Sequence, residues 1–100
     1  MEQDGPVTVV IRHRVKPGRE AEFEGWLRGI TRAAIGFPGY LGNHISRPTD
    51  ARRPEYLVLL KFDSLPNLEA WENSDVRREC LEKAQPLSVS PSVLLKETSS

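Results

Sequence analysis

The chain has one cysteine, no strong excess of charge of either sign, and no long hydrophobic run. With Cys80 alone, an internal disulfide framework is excluded, and the usage fits a reducing compartment. The longest aliphatic run, Leu57 to Leu60, is far short of a membrane span. Fourteen basic residues balance fourteen acidic ones, so no net field draws in nucleic acid or an anionic membrane. The short pairs Arg52-Arg53 and Arg77-Arg78 have acids nearby and make no basic stripe. The two histidines, His13 and His44, have no carboxylate or cysteine at ligand spacing, so no metal site is expected. No Ser/His/Asp order, paired-carboxylate pattern, P-loop or dinucleotide fingerprint stands out, and Gly36, Gly39 and Gly42 are spaced as turn glycines. The opening MEQDGPVT lacks a basic-then-apolar leader pattern, which makes the cytoplasm the expected location.

The 100 residues suit one domain, and a chain of this length buries roughly two-thirds of its unfolded surface without metal or disulfide help. From Val7 to Val15 the residues alternate. Val7, Val9, Ile11, His13 and Val15 share one face, with Thr8, Val10, Arg12 and Arg14 on the other, as in a strand. Lys16-Pro17-Gly18 ends it. A helix follows over about Arg19 to Ile35, with Phe23, Leu27, Ile30 and Ala34 at helical spacing and Trp26 and Ala33 widening the stripe. Glu24 and Arg28 form a favourable i,i+4 pair on the other side. Gly36 and Pro38-Gly39 stop the helix.

Tyr40 to Arg47 reads as a second strand, with Tyr40, Gly42, His44 and Ser46 on one face. It is the least apolar strand and is expected at an edge. Pro48 to Pro54 is a polar loop. Glu55 to Asp63 is a third strand whose Tyr-Leu-Val-Leu-Leu core predicts burial on both faces and a central place. In Phe62 to Leu81, a proline near a helix start places Asn67, Leu68 and Trp71 on one side of a helix. The helix pauses near Asn73, where Ser74 can cap a second segment from Asp75. Val76, Cys80 and Ala84 make that segment's apolar stripe, with Leu81 at its border, and Pro86 closes it. Val89 to Lys96 is a short edge strand interrupted by Pro91. The domain core is expected over about 7–96, with frayed ends at 1–6 and 97–100.

Strand, helix, strand, strand, helix, strand is the order of a split βαβ arrangement. The economical fold is α+β, ferredoxin-like, with one antiparallel sheet and two helices on one face. The other face carries apolar positions such as Val10 that a two-layer domain cannot cover, and a homodimer through the sheets is expected.

HRVKPGREAEFEGW at 13–26, FPGYLG at 37–42 and FDSLPNLEAWENSDVRR at 62–78 resemble the antibiotic-biosynthesis monooxygenase family of dimeric α+β barrels. The likeness spans about Val7 to Leu87. It implies a sheet-to-sheet dimer with one pocket per subunit, between helices and sheet. It also implies oxidation of small phenolic or quinone-type aromatics by O₂ with no cofactor, neither metal nor flavin. Quinone-forming members use an Asn and a Trp four residues later on the second helix, a pattern matched by Asn67 and Trp71. They can also carry a tyrosine after that Trp in the second helix, and Val76 to Ala84 contains none. Haem-degrading relatives need a histidine ten residues after the Trp and an asparagine on the first strand. Leu81 and Ile11 stand there instead, so haem cleavage is not expected.

The expected catalytic set is therefore Asn67, Trp71 and His13, with Trp71, Tyr56, His44 and Ile11 contacting the ligand. Trp71 is a flat wall for an aromatic ring or else a core aromatic. Asn67 hydrogen-bonds a substrate oxygen and stabilises charge there, or else serves the first helical turn. His13 takes a phenolic proton, or else is structural. Tyr56 supplies a pocket hydroxyl if its parity faces the helices, and otherwise packs in the dimer interface. Cys80 reads as structural. Two other readings stay open, namely a non-catalytic dimeric domain that binds a small hydrophobic ligand and another enzyme, an isomerase or haem-binding protein, on the same barrel.

Overall fold

The computed structural model of the protein describes residues 5–50, 52–89 and 91–98. Its elements are β1 (Val7–Arg14), α1 (Glu20–Ile35), β2 (Tyr40–Ser46), β3 (Glu55–Phe62), α2 (Leu65–Glu72), α3 (Asp75–Ala84) and β4 (Ser92–Thr98). The strands form one antiparallel sheet in the order β2-β3-β1-β4. This is the ferredoxin-like α+β fold, with β2 at an edge and β3 inside as the sequence predicts. The second helix breaks where the sequence predicts a pause, giving α2 and, from Asp75, α3.

The core lies between the helices and one face of the sheet. On β1, Val7, Val9, Ile11 and His13 are buried, and on β3 Tyr56, Val58, Leu60 and Phe62 alternate with exposed residues. Helix α1 buries Phe23, Leu27 and Ala34 against them. Burial of β3 on both faces does not hold within one chain, because Leu57 and Leu59 stay 37% and 36% exposed.

Two bulges change the strand faces. On β2 the register shifts between Tyr40 and Gly42, with Gly42 at φ 152°, a conformation that suits a residue without Cβ. Tyr40 then pairs with the inward-facing Phe62, and His44 pairs with the outward-facing Leu59. The single face expected for Tyr40, Gly42, His44 and Ser46 is thus split by one inserted residue. On β4 the register shifts opposite Val10 and Ile11. That strand begins after Pro91 and extends to Thr98, which pairs with Val7, so 97–98 belong to the sheet. Residues 1–4, 99 and 100 of the expected frayed ends lie outside the described residues.

The turn after α1 is fixed by close contact. Gly39 has φ 84°, its carbonyl accepts from Asp63 N at 2.8 Å, and a Cβ there would meet the Asp63 carboxylate and lie 2.6 Å from Asn67 Nδ2. Glycine is the residue that both the dihedral and the space allow. Ser64 then caps α2 by accepting from Asn67 N, and Pro66 sits in the first turn, where its missing N–H costs nothing. Ser74 caps α3 by accepting from Arg77 N at 3.1 Å, and its hydroxyl donates to Trp71 O at 2.7 Å. One serine thus ends one helix and starts the next. With that start, α3 carries Arg77, Leu81 and Ala84 partly or fully inward, while Val76, expected in the apolar stripe, is 43% exposed.

Candidate functional site

A narrow cleft lies between the sheet and the three helices, its enclosed part only about 30 Å³, the room of one water, behind an open mouth. Its floor is Ile11, Val58 and Leu60 from the sheet, and Trp26, Leu27 and Ile30 of α1 form one wall. Trp71 of α2 with Arg77 and Leu81 of α3 complete it, and Pro91 stands before β4. His13 projects from the β1 face that Ile11 shares.

His13 is 5% exposed and packed edgewise among aromatic rings, with its centroid 5.4 Å from Phe23 and 5.5 Å from Trp26. Its Nδ1 is buried and has no hydrogen-bond partner among the described residues. Burial first, and then the positive charge of Arg77, lower its pKa from 6.5 to about 4. The ring is therefore neutral at pH 7. Trp26 is fixed by its indole N–H, which donates to Cys80 O at 2.7 Å and ties α1 to α3. Arg77 is half-buried and donates from Nη1 to Glu72 O at 3.2 Å.

Trp71 is 1% exposed, with its ring edge-on to Phe37 at 5.0 Å. It is a core residue and a cleft wall together, because one face of a ring this large closes the core while another part reaches the cavity. His13, Trp71 and Ile11 are thus brought to one place. Asn67 is not among the cleft-lining residues. Its Nδ2 donates to Asp63 Oδ1 at 2.8 Å beneath Gly39. Tyr56 faces the helices, as one of the two parities requires, but its hydroxyl donates to Glu24 Oε2 at 2.9 Å and its ring lies tilted against Phe23 at 4.8 Å. Burial and then the bond to Glu24 push its pKa up to about 12. Glu24 also receives Arg47 Nε at 2.8 Å and Nη2 at 2.9 Å, which hold its carboxyl below the usual range. Glu24 thus joins α1 to β2 and β3 where the sequence paired it with Arg28. His44 lies on the opposite sheet face, beside Leu59.

Trp26 and Arg77 line the cleft, whereas the sequence reading gave them only as part of an apolar stripe and of a basic pair. The signal for Arg77 was spacing, since 77, 81 and 84 share a helical face. An arginine in an apolar stripe is unusual unless it has work there. Among the described residues no group of three or more His, Cys, Asp and Glu is placed to hold a metal, and no helix is long and apolar enough to cross a membrane.

Residues 6–83 match the model of the antibiotic biosynthesis monooxygenase family. An uncharacterised protein of Synechococcus elongatus is 34% identical over 79 residues, which are 79% of this chain and 38% of that protein. The chain therefore spans about two fifths of the length of this curated relative. Among solved structures, SnoaB of Streptomyces nogalater, a cofactor-independent oxygenase, superposes with a TM-score of 0.82 at 18% identity, covering 96% of this chain and 94% of SnoaB. A conserved protein of Methanosarcina mazei superposes with a TM-score of 0.81 at 13% identity, covering 99% and 97%. At these identities the likeness to solved structures is one of fold.

Proposed function

The chain belongs to the antibiotic biosynthesis monooxygenase family, and we propose that it oxidises a small phenolic or quinone-type aromatic with O₂ in the cleft between its helices and sheet. The supporting observation is the convergence of a neutral histidine and two tryptophans on one apolar cleft. Two indoles give flat surfaces for a planar ring. Leu81 lies on the cleft wall at the position where haem-degrading relatives carry their iron ligand, so the wall offers haem no imidazole there.

For an anthrone-like substrate the chemistry balances without an added reductant. Loss of a proton gives a carbanion delocalised as a phenolate. That anion passes one electron to O₂, and the radical pair combines to form the C–O bond of a peroxide. Proton return and loss of water leave a quinone carbonyl, so CH₂ and O₂ become C=O and H₂O. The substrate supplies the electrons. In this reading Trp71 and Trp26 hold the ring and His13 accepts the first proton. Asn67 acts as a positioning residue that fixes the start of α2, and so the height of Trp71 one turn later. Oxygen uptake with anthrones and hydroquinones under metal-free conditions tests the proposal. Turnover is expected with at least one class. Trp71→Phe should lose on the order of 10-fold in kcat/KM if the indole is worth about 1.4 kcal/mol to the transition state, and Asn67→Ala should lose less. Saturable binding with no oxygen uptake from any compound would replace the oxygenase with a binding domain, and a Soret band on adding haemin would replace it with a haem protein.

The dimer belongs to the same proposal. Leu95, Val10 and Leu59 form an apolar row across the outer sheet face and end at His44. With Leu57 they make the surface that a second sheet would cover, and His44 would then lie at the interface. Wild-type protein is expected to sediment as a dimer and Leu59→Lys as a folded monomer, since burying an unpaired ammonium costs more than one leucine contact contributes. An unchanged dimer in Leu59→Lys, or a monomeric wild type, sinks this arrangement.

A further inference from the structure

Three arginines of the described chain are half-buried: Arg12, Arg19 and Arg77. Arg12 lies 3.6 Å from the Glu55 carboxylate, and Arg19 is paired with Glu22. Arg77 has no such acid among the described residues, only the Glu72 carbonyl. Two acids close to it in sequence are engaged elsewhere. Asp75 pairs with Arg78 at 3.1 Å, and the Glu72 carboxylate with Lys96 at 2.9 Å. Among the described residues no carboxylate lines the cleft, and a second cation, Lys16, lines the adjoining cleft with His13. A guanidinium drawn part-way out of water toward apolar walls, with no counter-charge, is costly to the fold. Burial first, and then this positive field, keep His13 unprotonated, so the histidine stays a neutral neighbour and Arg77 is the cation of the cleft lining.

We infer that Arg77 is the specificity-determining residue of the cleft, and that the ligand is a planar aromatic bound as an anion, its ionised oxygen against the Arg77 guanidinium and its ring in the cleft's open mouth beside Trp26. The inference deepens the oxygenase reading and rests on its choice of site. It also removes a difficulty in that reading. A neutral imidazole this reluctant to protonate is a poor base for a phenol, but no strong base is needed if Arg77 already holds the substrate in its ionised form. A phenolate and an aromatic carboxylate share this chemistry, and the test separates them.

Three probes of one shape serve: 4-nitrophenol, 4-nitrobenzoate and nitrobenzene, titrated without oxygen uptake as a readout. Bound 4-nitrophenol is expected to show its ionised absorption band at a pH about one unit below the free midpoint. Arg77→Met is expected to abolish that shift and weaken anion binding on the order of 10- to 100-fold, leaving nitrobenzene affinity unchanged. Arg77→Lys keeps the charge and should restore part of the shift, which separates loss of charge from a misfolded variant. Arg77-dependent binding of 4-nitrobenzoate alone assigns the site to carboxylates, and of 4-nitrophenol alone to phenolates. Nitrobenzene binding as tightly as both anions, nitrophenol bound in its neutral form, Arg77→Met without effect, or no binding of any probe overturns the inference. Arg77-dependent anion binding without oxygen uptake in the separate turnover assay would sink the oxygenase and leave this site standing. Turnover indifferent to Arg77→Met would do the reverse.

Discussion

Unfolding free energies measured at pH 7 and pH 4.5 should differ by about 2.5 kcal/mol through His13 alone, with the folded protein weaker at the lower pH. The sign follows from where the proton binds. Above pH 6.5 the imidazole is neutral in both the folded and the unfolded chain, so it contributes no slope. Between 6.5 and about 4 the unfolded chain takes up a proton that the folded chain refuses, because folding has packed the ring between Phe23 and Trp26 near the Arg77 charge. Stability then falls by up to about 1.4 kcal/mol for each pH unit and levels off below the folded pKa. Glu24 also weakens the fold in acid. Its folded pKa is depressed, first by the hydrogen bond from Arg47, so its contribution is present above the usual carboxylate range and lost as pH falls through the lowered value. That window lies below most of the histidine's, and a His13→Gln variant separates the two. Urea titrations of both proteins at the two pH values should show the wild type losing about 2.5 kcal/mol more than the variant. Imidazole resonances of His13 that titrate near pH 6.5 in the folded protein would contradict the prediction directly.

His13 also shows what the sequence carried and what it withheld. Its parity on β1, its company with Ile11 and the strand itself were legible because a period of two leaves one solution for a half-buried strand. The same local rules located α1, the Gly36–Gly39 turn and the double helix around Ser74, since each depends on neighbours a few residues away. Burial of the ring among Phe23 and Trp26, and the presence of Arg77, were not legible, because they bring together β1, α1 and α3. On β2 the pattern misled for a physical reason, since one bulge at Gly42 reverses parity and a sequence does not announce its bulges. Arg77 was missed because charge balance along the chain paired it with nearby acids, whereas in space those acids face other cations. Asn67 was read from a spacing it shares with oxygenases, and its side chain is engaged with Asp63 under the turn.

Replacing Trp71 with alanine should cost about 3–5 kcal/mol, the range for removing a large buried aromatic. A domain of this kind has a total stability of about 5–15 kcal/mol, so the variant would be near its unfolding threshold at ordinary temperatures. The magnitude rests on the burial of the indole and its contact with Phe37, while the backbone of the same residue closes α2. Trp71 is 1% exposed, its ring meets Phe37 edge-on at 5.0 Å, and its carbonyl receives the Ser74 hydroxyl that ends α2. Alanine keeps the carbonyl but removes the ring, so Phe37 loses its partner and the turn built on Gly39 loses part of its floor. Phenylalanine keeps the contact with Phe37 and most of the buried area, and should cost only about 1–2 kcal/mol. Urea midpoints for the two variants, with equal slopes, measure both numbers. A loss below about 1 kcal/mol in Trp71→Ala would mean that the ring is not held as the packing indicates, a core repacked around the gap being the physical alternative. The difference between the variants decides how activity data are to be read. Loss of turnover in Trp71→Ala is expected from the fold alone and says nothing of the indole's part in chemistry. Trp71→Phe, nearly as stable as the wild type and still presenting a flat ring to the cleft, isolates what the larger indole surface contributes to the bound aromatic.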